Sequence, residues 1–207
     1  MRARTLVVCL ALLGACSTTP APSPSAADAQ AIEAVEVHPI FSTWFFTNEH
    51  YEGQLGSLGD ALGSDCFVAE LVEEDGRTWL RAHRGDGSRN EDWFGWHAEV
   101  LAPIDGEVVK VHENAVTNEP GSYTPGIASY VVVRRPDDTH VLVAHLREAT
   151  VKVGDHVRAG QPIGRVGNNG ISRHPHIHLG AWRGERPLQL RFDLRAMAKL
   201  RQQLGER

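Results

Sequence analysis

From Cys66 onward the chain repeats one pattern: short runs rich in Val, Ile and Leu, each stopped by a turn dipeptide. The stops are Asp75-Gly76, Asp105-Gly106, Asp137-Asp138, Gly154-Asp155 and Asn169-Gly170. β-Branched residues suit a pleated surface, and Gly, Asp and Asn suit the tight reversals between strands. The pattern predicts a mainly β fold of antiparallel strands, with strands near residues 107–111, 130–134 and 140–146. Only residues 193–204 carry a helical period, in which Leu194, Met197, Leu200 and Leu204 recur on one face, so a short C-terminal helix is expected. Arg195, Lys199 and Arg201 between them read as its solvated face.

One of the apolar stretches carries His174-Pro175-His176-Ile177-His178. Residues two apart on a strand point to the same face, so His176 and His178 present two imidazoles side by side. Imidazole is the commonest protein metal ligand and the natural acid or base near neutral pH. His174 and His178 would stand about 13 Å apart on an extended strand. Bonds of about 2 Å do not let both reach one ion. The chain holds eleven histidines in 207 residues, and its formal charge of −5 shows no nucleic-acid footprint.

The first 30 residues read as targeting sequence rather than fold. Arg2 and Arg4 precede an apolar run over residues 6–15. That run is well short of the about 20 residues a membrane-spanning helix needs, but it suits the core of a signal peptide. Leu13-Gly14-Ala15-Cys16 resembles the bacterial lipobox, which makes residues 1–15 a lipoprotein signal and Cys16 the lipidated anchor. Ser17 after the cysteine leans toward the outer membrane in an organism that has one. Residues 16–30, rich in Pro, Ser and Ala, read as a tether. With Cys9 removed and Cys16 lipidated, Cys66 alone remains, and no intrachain disulfide is expected. Residues 31–65 mix aromatic, Gly and acidic residues without a clear period and read as an N-terminal extension to a domain over residues 66–207.

Four elements of that domain line up in order. They are His83 with Asp92; Ala102-Pro103-Ile104-Asp105-Gly106; Val143-Ala144-His145-Leu146 followed by Val151 to Gly164; and Gly167-Asn168-Asn169-Gly170 leading to His176-Ile177-His178. Together they resemble the lysostaphin/LytM family of zinc endopeptidases, which cleave peptide cross-links of bacterial peptidoglycan. The resemblance implies an antiparallel β metallopeptidase domain, related in shape to barrel-sandwich hybrids. It implies one zinc (Zn2+) held by a histidine, an aspartate and the second histidine of the His-x-His motif, here His83, Asp92 and His178. It implies His145 and His176 as the catalytic residues, one handling the proton of the attacking water and the other facing the developing oxyanion. Asp86 is the rival to Asp92, and His97 the next candidate for the first ligand. The family pattern sets its histidine and aspartate closer together than His83 and Asp92, which have eight residues between them. His174 would rim the cleft. His38, His50, His112, His140 and His156 read as solvated surface residues.

The same resemblance keeps a second class open. Some relatives have lost ligands and activate other cell-wall hydrolases, so a regulator with an envelope hydrolase or divisome partner is the alternative to an enzyme. A third class, a lipoyl- or biotin-carrier-like module, would need a modifiable lysine at a hairpin tip. Lys110 and Lys152 do not sit in such a motif. The expected protein is a lipid-anchored hydrolase of the cell envelope, facing the periplasm, with peptidoglycan as substrate and no nucleic-acid partner.

Overall fold

The computed structural model describes residues 31–203 and residue 205, a chain of short strands joined by turns. The proposed signal peptide, Cys16 and the tether lie outside the described residues. In chain order the strands are β1 (Ala34–Val37), β2 (Phe45–Glu49), β3 (Ser64–Val68), β4 (Glu70–Glu74), β5 (Arg77–Arg81), β6 (Glu99–Leu101), β7 (Gly106–His112) and β8 (Tyr130–Arg134). There follow β9 (Thr139–Ala144), β10 (Leu146–Arg147), β11 (His156–Val157), β12 (Pro162–Val166), β13 (Ile177–Arg183), β14 (Arg186–Pro187) and β15 (Gln189–Phe192). Among the described residues a single α-helix, α1 (Leu194–Gln203), follows them. Asp193 caps it, its carboxylate accepting from the backbone N–H groups of Arg195 and Ala196 at 2.8 and 3.0 Å.

The largest sheet runs β11-β7-β8-β9-β13-β3-β2, with β14 paired to β13, and its ladders are antiparallel. A second sheet runs β10-β12-β6, and β1 pairs in parallel with β15. The turn between β4 and β5 is the expected Asp75-Gly76, with φ of +53° and +69°, the conformation that a two-residue hairpin turn of type I′ requires.

Alternation places the core. Val131 and Val133 of β8, Val141 and Val143 of β9, and Ile177, Leu179 and Ala181 of β13 have no solvent exposure. They pack with Val100, Ala102, Leu146, Ile163 and Val166 from around the second sheet. Burying one such large aliphatic side chain is worth about 1.5–3 kcal/mol. Polar substitution on that face is therefore costly. The opposite face of β13 carries His178, Gly180 and Trp182, and polar side chains are free to collect there.

Residues 31–65 are not an appendage. Val35, Val37, Ile40 and Phe41 belong to the core, Phe41 and Phe192 flank Phe45 edge-on at 5.7 and 5.1 Å, and β2 and β3 extend the main sheet. The boundary at residue 66 is corrected accordingly. β1 and β2 are four and five residues long, and the partner of β1 lies at the far end of the chain, so neither leaves a local period to read.

Candidate metal and catalytic site

Four strands and their ends assemble the site. On β13, His178 is the register partner of Asp65 on β3 and of Ala144 on β9. His145 follows Ala144 directly, and His176 lies two residues before His178. β2 pairs Asn48 with Asp65, and the chain leaving β2 brings His50 to the same carboxylate.

The contacts are short. Asp65 Oδ1 lies 3.0 Å from His178 Nδ1 and 3.5 Å from His176 Nε2, and Asp65 Oδ2 lies 3.3 Å from His50 Nε2. One donor atom from each of His50, Asp65 and His178 lies within 4.8 Å of the other two. Burial alone would raise the pKa of Asp65, but hydrogen bonds from His176 and His178 outweigh it and hold the carboxyl well below the usual carboxylate range. Burial works against a proton on His178, yet the bonds to Asp65 and the Gly59 carbonyl, with the Asp65 and Asp60 charges, raise its pKa.

The outward nitrogens settle which atoms face inward. His50 Nδ1 donates to the Asp60 carbonyl at 3.1 Å, and His178 Nε2 to the Gly59 carbonyl at 2.8 Å. A backbone carbonyl only accepts, so each of those nitrogens carries a proton. His50 Nε2 and His178 Nδ1 are then left, in the neutral rings, as lone pairs aimed at a carboxylate. Three acceptors converging in a buried place call for protons or a cation between them. Two imidazoles and a carboxylate are a zinc donor set, one short of tetrahedral closure. The residues present fit the metal.

The catalytic candidates are held in the same way. His145 Nδ1 donates to the Asn169 carbonyl and His176 Nδ1 to the His174 carbonyl, both at 2.8 Å, which turns each Nε2 to the inner side, that of His176 toward Asp65 Oδ1 at 3.5 Å. Asn169 is itself fixed, its side chain accepting from Ser129 N and donating to the Leu146 carbonyl. The His145 and His176 rings lie 4.7 Å apart, and Phe67 stacks on the other face of His176 at 5.1 Å. His145 has φ of +64°, an uncommon conformation for a residue with a Cβ, at the point where the chain leaves β9 for β10. Burial, then the neighbouring His176 and His178, depress the pKa of His145 well below the ordinary imidazole value.

His83 and Asp92 do not join this group, and the expectation that they bind metal with His178 is corrected. His83 pairs with Trp93 in an isolated bridge, its ring 4.9 Å from the indole. Asp92 turns back on its own helical turn and accepts from the backbone and guanidinium of Arg89 at 3.0 and 3.1 Å. Asp86 is exposed and accepts from Ser88 N, while His97 Nε2 meets the Arg147 guanidinium at 2.7 Å. His174 stacks on Trp93 and edges Phe67 at the rim of the cleft. The residues that sequence reasoning missed are His50, read as solvated but 9% exposed, and Asp65. Asp65 left one signal, an acidic residue opening the apolar run Asp65-Cys66-Phe67-Val68. His50 left none, because the thirteen residues 51–63 and Ser64 separate it from its partner.

All five side chains line one cleft of about 590 Å³, with Leu55, Tyr123, Ile127 and Ile171 around it. Residues 93–190 match peptidase family M23. That stretch, a little under half of the chain, is where its likeness to an M23 peptidase domain lies. His145, His176 and His178 lie inside the matched stretch, and His50 and Asp65 before it. The chain is 37% identical over 79 residues to an uncharacterized metalloprotease of Haemophilus influenzae, which is 38% of this chain and 15% of the relative. It is 28% identical to the peptidoglycan DD-endopeptidase ShyC of Vibrio cholerae, over 48% of this chain and 20% of that protein. It is 39% identical to the glycyl-glycine endopeptidase ALE-1 of Staphylococcus capitis, over 39% and 20%. The chain thus spans about a fifth or less of the length of these curated relatives. The crystallised catalytic domain of lysostaphin from Staphylococcus simulans is 21% identical over 66% of this chain and 79% of that one, with a TM-score of 0.41.

Proposed function

We propose that this protein is a zinc endopeptidase that hydrolyses peptide cross-links of bacterial peptidoglycan. One observation carries the reading. A three-residue donor set (His50, Asp65 and His178) and two further histidines, each held through Nδ1 by a backbone carbonyl (His145 and His176), open into one cleft. The M23 match and relatives named as a peptidoglycan DD-endopeptidase and a glycyl-glycine endopeptidase support the substrate class.

His50, Asp65 and His178 would hold the metal. Bound there, zinc supplies Lewis acidity, which lowers the pKa of a water to about 7 and polarises a carbonyl. The chain's own residues do the rest. His145, kept neutral by burial and held through Nδ1 by Asn169, is suited to take a proton from the attacking water and return it to the leaving amine. His176, held through Nδ1 by the His174 carbonyl and stacked on Phe67, would stabilise the developing oxyanion when Nε2 also carries a proton, with that N–H as the donor. A regulator that had lost catalysis would lack one or more of these five groups, and all five are present. We place the protein at the cell envelope, facing the periplasm and tethered through Cys16.

The test is metal analysis of the purified protein with an assay of muropeptide release from sacculi, with and without a chelator. About one zinc per chain and chelator-sensitive release are expected. A zinc-loaded protein that releases nothing yet stimulates a separate hydrolase would replace the enzyme with a regulator.

A further inference from the structure

The segment between β2 and β3, residues 51–63, lies over His178. Its turn is closed by backbone bonds from Asp60 N and Ala61 N to the Ser57 carbonyl at 3.0 and 2.8 Å, and from Gly63 N to the Asp60 carbonyl at 3.1 Å. The Ser57 hydroxyl donates to the Asp60 carboxylate, and His50 N donates to the Gly63 carbonyl at 2.8 Å. The turn is thereby locked to the end of β2. On its other side it rests on β13, where a Cβ added at Gly180 would overlap the Gly59 carbonyl oxygen. Gly63 is as tight, since a Cβ there would stand 2.8 Å from His178 Cε1. Only glycine at 180 lets the loop backbone descend this far.

That descent puts two consecutive carbonyls on two different rings. Gly59 O receives His178 Nε2–H at 2.8 Å and Asp60 O receives His50 Nδ1–H at 3.1 Å, with Asp60 Oδ1 a further 3.4 Å neighbour of His178 Nε2. The two rings therefore use opposite nitrogens outward, and opposite nitrogens inward, toward Asp65. An outer hydrogen bond of this kind fixes the tautomer and ring orientation of a metal-binding histidine and raises its basicity. We propose that the 51–63 loop is a positioning element for the His50/Asp65/His178 donor set, its Gly59 and Asp60 carbonyls holding both imidazoles in the inward-facing tautomers, with Gly180 as the gap that admits it. This rests on the metal reading above.

The experiment uses the full-length protein and zinc alone as ligand, with affinity measured by competition against a chromophoric chelator. Gly180→Ala should raise the zinc Kd by about 10–100-fold, the usual effect of losing an outer-shell partner. Gly95→Ala, outside the loop, is the control. Its Cβ would meet nothing closer than Pro175 O and Val68 Cβ at 3.6 Å, so the Kd should stay near wild type. Wild-type protein stripped of metal gives a second readout that needs no variant. In alkaline buffer, long-range ¹H–¹⁵N spectra should show His50 as the Nδ1–H and His178 as the Nε2–H tautomer. A Gly180→Ala protein that melts earlier but binds zinc as tightly would make the loop merely structural and overturn the proposal, as would the reverse tautomer on either ring. A wild type that binds no zinc would instead sink the metal reading, and the tautomers would then decide the loop's role alone.

Discussion

Asp65 and His178 are register partners across the β3–β13 ladder, with Asp65 Oδ1 3.0 Å from His178 Nδ1. A side-chain pair set by a ladder is fixed by every hydrogen bond of both strands. His50 completes the group from the end of β2, on the other oxygen of the same carboxylate. The first prediction follows. His50→Ala, Asp65→Asn and His178→Ala should each lose bound zinc, by more than the about 10–100-fold that outer-shell changes cost. His83→Ala and Asp92→Ala should keep it. Metal analysis after desalting reads the result, and zinc lost from the His83 variant but not the His50 variant would reverse the assignment.

His145→Ala and His176→Ala should retain zinc and lose hydrolysis. A general acid–base group is worth about 10²–10⁴-fold and an oxyanion donor about 10²–10³-fold. The two act on one step, so the double variant should fall by less than the product of the single effects. Muropeptide release from sacculi is the assay.

The pH profile tests the role given to His145. Its pKa is depressed below the ordinary imidazole value of 6.5 by burial and by His176 and His178. A depressed histidine stays neutral, and competent as a base, as pH falls through 6.5, and it is lost only lower. The acid limb of kcat on a soluble peptide substrate should therefore lie below 6.5. An acid limb at or above that value would remove His145 from the role of base.

Cys66 has no solvent exposure, and its thiol points toward the Ser64 carbonyl at 3.8 Å. Burial, then the Asp65 charge, pushes the thiol up, so the nucleophilic thiolate is scarce. Iodoacetamide should leave the Cys66 peptide unlabelled in native protein and label it in denaturant, as read by peptide mass mapping. Rapid native labelling would contradict the packing of β3 against β13.

Cys16→Ala should shift the protein from the membrane fraction to the soluble fraction of cells, because lipid attachment requires that thiol. A variant that still sediments with membranes after signal cleavage would rule out Cys16 as the anchor.

Much of this protein is determined locally and is legible in the chain. Asp75-Gly76 makes a hairpin turn because those residue types tolerate positive φ. The buried row Ile177, Leu179 and Ala181 sets the face of β13, and period two then puts His176 and His178 together on the other side. His145, after the apolar run of β9, lies beside them, and the period of α1 matched its structure. The rest of the donor set was decided only by tertiary structure. His83 is spent on a bridge to Trp93, and a local turn spends the Asp92 carboxylate on Arg89. His50 and Asp65 reach His178 because β2, β3 and β13 are neighbours in one sheet, with Asp65 and His178 113 residues apart in the chain. Register between such distant strands depends on packing across the whole sheet. Gly180 decides how near the 51–63 loop can come, and neither its spacing nor its composition says so.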